Sequence, residues 1–463
     1  MTHRSKTLLR TLGGACAAAL LAACATGPDY QAPGAPAAIG DGFAAADPAV
    51  VSSQAPDGQW WRLYDEPALD ALVARALENN RDIAVAAANL ERVRASLGEA
   101  RAGRLPITGV AASAETYREP DGLGGEVEGE RYSAGLDVSY EIDFFGRVRR
   151  SIEAARADAG AAQAALDVVR ISVAGETARA WADACAANAQ LEVAGRSIAL
   201  QTRTADLTER QLQAGRGTGL DVARARSLLE TTRASLPPLQ AQRDAALFRL
   251  AVLTGEPPAQ LSAEARACSS IPRVDAVIPV GDGQALLKRR PDVRQAEREL
   301  AAATARIGVA TAALYPTVTL GGSLGTGGAS LGDGLSFSAG PLITWSFPNI
   351  AAARARIAQA DATAQGALAN FERVSLAALQ ETETALSQYA HELDRRAALR
   401  RARDESAAAA RLSRLRFDAG LDSFLSVVDA ERTLAQAEAQ LVQSEALTTT
   451  YQITLFKALA GGW

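Results

Sequence analysis

Tyr132-Ser133-Ala134-Gly135-Leu136-Asp137-Val138-Ser139-Tyr140-Glu141-Ile142-Asp143-Phe144 alternates apolar and polar residues without a slip, with aromatic residues at both ends. Period two over such a run specifies a strand with one apolar and one polar face. An outer face in lipid and an inner face in water would produce this pattern. A soluble sheet packed on a core would produce it too, so the residues around the strand decide.

A second run repeats the pattern. Leu335, Phe337, Ala339, Pro341, Ile343, Trp345 and Phe347 form one face, with Ser336, Ser338, Gly340, Thr344 and Ser346 on the other and Leu342 as the exception. Weaker strands precede each run, so the expected strands are 105–116 and 132–144 in the first half and 317–325 and 335–347 in the second. Polar, Gly-rich loops at 117–131 and 326–334 join each pair. Four strands cannot close a barrel, since about eight is the minimum. An open edge is not tolerated in lipid. If the strands span a membrane, several chains must contribute, and three copies give twelve strands.

Beyond each strand pair lies a run with no proline, 147–214 and 350–419. As helices these are about 100 Å long, far beyond the usual globular length. Gly215-Arg216-Gly217-Thr218-Gly219 and Ala419-Gly420 supply turns, and helices return over 220–252 and 421–459. Pro237-Pro238 is expected to interrupt the first return. The two halves match in detail. Asn80-Arg81-Asp82-Ile83 resembles Arg290-Pro291-Asp292-Val293, and Leu90, Ala95, Gly98 and Pro106 match Leu300, Ala305, Gly308 and Pro316 at the same spacing. The chain is thus expected to hold two internal repeats, 67–279 and 280–463.

The start is of another kind. Arg4, Lys6 and Arg10 precede a short, small-residue apolar run ending Leu21-Ala22-Ala23-Cys24. This reads as a lipoprotein signal over 1–23, with Cys24 the residue acylated after cleavage. Residues 24–66 are then a lipid-anchored N-terminal extension. Ala25 stands where an Asp would hold such a protein at the inner membrane, so the outer membrane of a Gram-negative bacterium is expected. In that oxidising compartment Cys185 and Cys268 can form a disulfide. Since nothing in the sequence brings them together, a buried free thiol is the expectation.

Composition limits the chemistry. The 463 residues are 48% hydrophobic, 22% charged and only 5% aromatic, with a formal charge of −5 that becomes more negative once the signal is removed. That disfavours nucleic acid as a partner. His3 and His391 are the only histidines and there are four cysteines, which leaves little for zinc or a His-based triad. No catalytic residue, cofactor or metal is expected. Asp137, Glu141 and Asp143 sit on the polar strand positions, where a water-filled lumen accounts for them without catalysis.

Four ordered motifs carry a resemblance: Cys24-Ala25-Thr26-Gly27-Pro28-Asp29-Tyr30, Leu253-Thr254-Gly255-Glu256-Pro257-Pro258, Leu287-Lys288-Arg289-Arg290-Pro291-Asp292-Val293, and Leu455-Phe456-Lys457-Ala458-Leu459-Ala460-Gly461-Gly462-Trp463. Together they resemble the TolC-like outer-membrane efflux channels, lipoprotein branch. The resemblance implies a homotrimer in which a twelve-stranded β-barrel is continuous with a long periplasmic α-helical barrel. It implies a passive duct that passes small molecules such as drugs outward from an inner-membrane pump through a periplasmic adaptor. It also implies that Leu425, Asp429 and Arg432 line the periplasmic aperture, beside tip turns at Gly215 and Gly420. A protein-secretion channel is the alternative within the family. A structural periplasmic coiled-coil scaffold would leave the strand alternation unexplained. The anchor has a direct test: Cys24→Ser should abolish metabolic labelling with a fatty acid, and undiminished label would place the lipid elsewhere.

Overall fold

Two β-hairpins, one from each half of the chain, pair into a single antiparallel sheet. The computed structural model describes residues 26–34, 42–54, 58–120, 122, 124–261, 266, 268, 270–330, 332 and 334–459. Along the chain run β1 (Val51–Ser52), α1 (Pro67–Asn79), α2 (Arg81–Ala102), β2 (Ile107–Pro120), β3 (Glu126–Ile142), α3 (Arg147–Gln213), α4 (Gly219–Arg233) and α5 (Leu236–Leu253). Then come β4 (Ile278–Pro279), α6 (Gly283–Arg289), α7 (Pro291–Ala312), β5 (Thr317–Gly328), β6 (Leu335–Thr344), α8 (Ala351–Asp418) and α9 (Phe424–Leu459). No helix among the described residues is long and apolar enough to cross a membrane.

The chain divides into two compact units. One gathers Met1–Gly34, Ala88–Ala164 and Arg294–Arg373. It contains the sheet, in the order β2-β3-β5-β6. Directly opposed residues of antiparallel strands share a face, so the register aligns like with like. Val110, Leu136, Leu324 and Phe337 form one cross-strand row, and Val318 lies between Ile142 and Ile343 in another. The opposite face is small and polar. Ser113 and Ser133 meet at 2.8 Å, and Ser323 and Ser338 at 2.8 Å.

The first hairpin is longer than expected. Most of 117–131 is strand, because charges zip its two arms together: Arg131 pairs with Glu115 at 3.3 Å, Arg118 lies 3.6 Å from Glu126 and also pairs with Glu128, and Arg131 sits 4.5 Å over the Tyr117 ring. β5 likewise runs on to Gly328, whereas β6 stops at Thr344, short of Pro348.

The other unit gathers Ala35–Ala87, Ala165–Val293 and Val374–Trp463. Its core includes Trp60, Tyr64, Trp181, Leu250, Leu386 and Phe456, with the Trp60 and Phe456 rings stacked at 5.0 Å. β1 and β4 pair in parallel beside it. Two helices in succession open each half. Asn80 breaks the first pair with an extended backbone, then caps α2 by accepting from the Asp82 and Ile83 amides at 2.9 and 3.2 Å. Arg290 breaks the second pair, because Pro291 disfavours helical geometry in the residue before it.

The return over 220–252 breaks at Ala234 and Ser235, not at the two prolines. Pro237 and Pro238 lie in the first turn of α5, where a missing N–H costs nothing.

Cys185 and Cys268 are bonded, with Cα atoms 5.1 Å apart, contrary to the expected free thiol. The Asn188 side chain holds the same loop by donating to the Cys268 carbonyl at 2.7 Å. The bond closes 83 residues of chain, a contact that no local pattern announces. Disulfides typically contribute about 2–4 kcal/mol, in large part by restricting the unfolded chain. Replacing both cysteines by Ala should therefore lower the thermal midpoint in detergent. A reductant should lower the wild-type midpoint alone, and a midpoint indifferent to both changes would deny the bond a role in stability.

Candidate functional site

The two helix–turn–helix tips close with the same backbone device. At the end of α3, the Gly215 amide donates to the Leu212 carbonyl at 3.0 Å and the Arg216 amide to Gln211 at 2.8 Å. At the end of α8, Gly420 donates to Phe417 at 2.9 Å and Leu421 to Arg416 at 2.9 Å. Both glycines take the left-handed conformation this motif requires, with φ +66 and +72. Thr218 then caps α4 in a reciprocal box with Asp221, which spends the Asp221 carboxylate on the turn. At the other tip the Ser426 hydroxyl, the Ser423 amide and Arg416 hold the Asp422 carboxyl below its usual range.

Leu425, Asp429 and Arg432 follow on one face of α9. They line a cleft of about 790 Å³ together with residues of α3, α4 and α5, among them Val193, Ser197, Leu228 and Thr232. Asp429 and Arg432 pair within the helix, and their side chains are 59% and 58% exposed. Leu425 is half exposed.

The neighbouring Glu431 escaped the sequence reading. It is 3% exposed, accepts from the Thr204 hydroxyl on α3 at 3.1 Å, and pairs with Arg414 on α8. Arg414 also donates to Thr204 at 2.6 Å. One buried carboxylate thus joins three helices just inside the tip. Its signal lay in spacing: Glu431 is four residues after Val427, which is 1% exposed, so it is a charge on the buried stripe.

The motif residues elsewhere build architecture. Arg290 is buried and donates to Asp292 at 2.6 Å, Glu381 at 2.8 Å and the Ala458 carbonyl at 2.9 Å. Leu455, Phe456 and Leu459 are core residues. On the polar strand positions, Glu141 pairs with Arg147, and Asp143 accepts the Val148 and Arg149 amides at 3.0 and 2.8 Å. Their carboxylates are committed to starting α3. Cys24 lies outside the described residues. A group of three or more potential metal ligands does not occur among the described residues.

Removing Glu431 should cost about 2 kcal/mol, since it strands the buried Thr204 hydroxyl and a guanidinium on Arg414 that solvent partly reaches. Asp429→Ala should cost less than about 1 kcal/mol. Thermal melts of the two single variants rank them, and an equal or reversed order would show that Glu431 does not tie the tip.

A family model described as "Outer membrane efflux protein" matches residues 72–256 and 283–461. The solvent efflux pump outer membrane protein SrpC of Pseudomonas putida is 30% identical over 468 residues, which is 96% of each chain. The pyoverdine export outer membrane protein OpmQ of Pseudomonas aeruginosa is 31% identical over 419 residues, 88% of this chain and 87% of that one. The solved outer-membrane channel OprN superposes with a TM-score of 0.89 at 36% identity, covering 95% of this chain and 100% of its own. With its paired hairpins, long helices and glycine tips, this chain belongs to the outer membrane efflux protein family.

Proposed function

We propose that three copies of the chain form a passive exit duct through the outer membrane, a twelve-stranded barrel above a helical tube, anchored by lipid on Cys24 and built from two repeats. Drug-like and solvent-like molecules would reach it from an inner-membrane pump through a periplasmic adaptor. The observation that carries this reading is the sheet, which has one continuous apolar face and ends in strands β2 and β6. The apolar stretch Tyr132–Ile142 spans about 34 Å of strand, or about 26 Å of height at a 40° tilt, close to the apolar band of outer-membrane barrels. Trp345 and Phe347, stacked at 4.6 Å, lie just beyond the end of β6. Phe145 and Tyr315, also at 4.6 Å, flank the ends of β3 and β5. Aromatic residues at these positions suit a membrane boundary. A trimer in detergent is the expected species, and a stable monodisperse monomer with full β content would overturn the assembly.

In this reading Leu425, Asp429 and Arg432 narrow the periplasmic end around the threefold axis. Their half-exposed state in one chain leaves them free to meet a neighbouring copy. Asp429→Ala with Arg432→Ala should raise single-channel conductance in planar bilayers. Glu192→Ala with Arg196→Ala is the control, because that pair is an exposed one within α3, at 2.6 Å. Unchanged conductance, or an equal rise in the control, would remove these residues from the aperture.

A further inference from the structure

The segment Thr26–Tyr30 is held. The Thr26 amide donates to the Phe145 carbonyl at 3.2 Å, and the Thr26 hydroxyl donates to the same oxygen at 2.8 Å and to the Gly308 carbonyl at 3.3 Å. Arg150, only 4% exposed, faces the segment from the first turns of α3. Its guanidinium donates to the Thr26 carbonyl at 3.3 Å, the Gly27 carbonyl at 3.4 Å and the Asp29 carboxylate at 2.6 Å, while Glu153 holds its other arm at 2.8 Å. Tyr30 donates to Glu297 and packs on Ala157, Ala301 and Ala302. Gly27 crosses Gly308 so closely that a Cβ on Gly308 would lie 2.8 Å from the Thr26 carbonyl oxygen and 2.8 Å from Arg150 Cγ.

These contacts describe a built receptor with its ligand in place. Two of the acceptors are main-chain carbonyls, so Arg150 reads the path of the segment as well as its one charge. A buried guanidinium needs several acceptors, and without the segment Arg150 would keep Glu153 while losing three. The receptor also lies at the root of the sheet. Phe145 follows β3 by three residues, and its ring stacks on Tyr315, two residues before β5. At most about 7 Å of extended chain separates Cys24 from Thr26. We propose that Thr26–Tyr30 is the intramolecular ligand of a seat centred on Arg150, which fixes the lipid-bearing end of the chain to the root of the transmembrane sheet and must be filled for the trimer to assemble. Arg150 is a positioning residue here. The proposal rests on the lipid-anchored barrel read above.

The test uses full-length chain, purified from membranes in detergent, and measures hydrogen exchange of peptides covering 26–34. In Arg150→Ala these peptides should exchange at least tenfold faster than in the wild type. Arg150→Lys should not rescue them, because an ammonium cannot span the three acceptors. Gly308→Ala wedges the crossing without altering charge and should release the segment as well. Tyr30→Phe keeps every receptor residue and should loosen it severalfold, which guards against a receptor variant that fails to fold. The heat-resistant oligomer in outer membranes should fall severalfold in the Arg150 and Gly308 variants, with fatty-acid label on Cys24 unchanged. Unchanged exchange in these variants overturns the seat. Release of the segment with wild-type oligomer yield overturns its role in assembly. Absence of label in the wild type would instead defeat the anchor reading, while the exchange result would still judge the seat.

Discussion

A β-sheet cannot end in hydrocarbon. Each N–H and C=O along the outer edges of β2 and β6 needs a partner, and lipid offers none, at a cost of several kcal/mol per unmet group. In the proposed duct, that requirement would make the four-stranded sheet a fraction of a larger object and call for symmetry before any helix is considered. The cross-strand row in which Val110, Leu136, Leu324 and Phe337 align would make each chain a uniform piece of the proposed wall. Closure by identical copies repeats that piece, and the edge problem disappears with it.

The helices answer a different demand. With 67 and 68 residues, α3 and α8 are too long to be sustained by intrinsic propensity or by one compact core. Small residues along their packing faces let neighbouring helices approach closely. Among the polar groups buried between them, some tie one helix to another. Glu431 with Thr204 and Arg414 is one. Glu392, accepting from Ser444 at 2.5 Å, is another. Such ties fix register between helices whose apolar spacing alone would allow sliding.

Local pattern revealed what local physics determines. Period two gave the strands, the absence of proline gave the long helices, and the glycines gave the tips. Two departures of the structure from the sequence reading turned on contacts across the chain. The first hairpin extends because Arg118 and Arg131 find acids on the opposite arm, which a residue-by-residue strand preference does not register. Cys185 and Cys268 meet because the loop before β4 folds back on α3. Pro237 and Pro238 were read as a break when they open a helix, a distinction that depends on where the turn falls. At the tip, Asp429 and Arg432 drew notice as a charged pair, while Glu431 mattered more to packing and was hidden between them.

The polar face of the sheet is made largely of glycine and serine: Gly109, Ser113, Gly135, Ser139, Gly321, Ser323, Gly325 and Ser338 occur on it. Short side chains leave a smooth wall with shallow relief and scattered charge. In the proposed duct, a solute moving along it would meet weak, similar contacts at every step, so its dwell time at any one point would be brief and its drift would depend mainly on size and hydration. Chemical discrimination then falls to whatever loads the duct from below, and one exit wall suffices for cargoes with no structural feature in common.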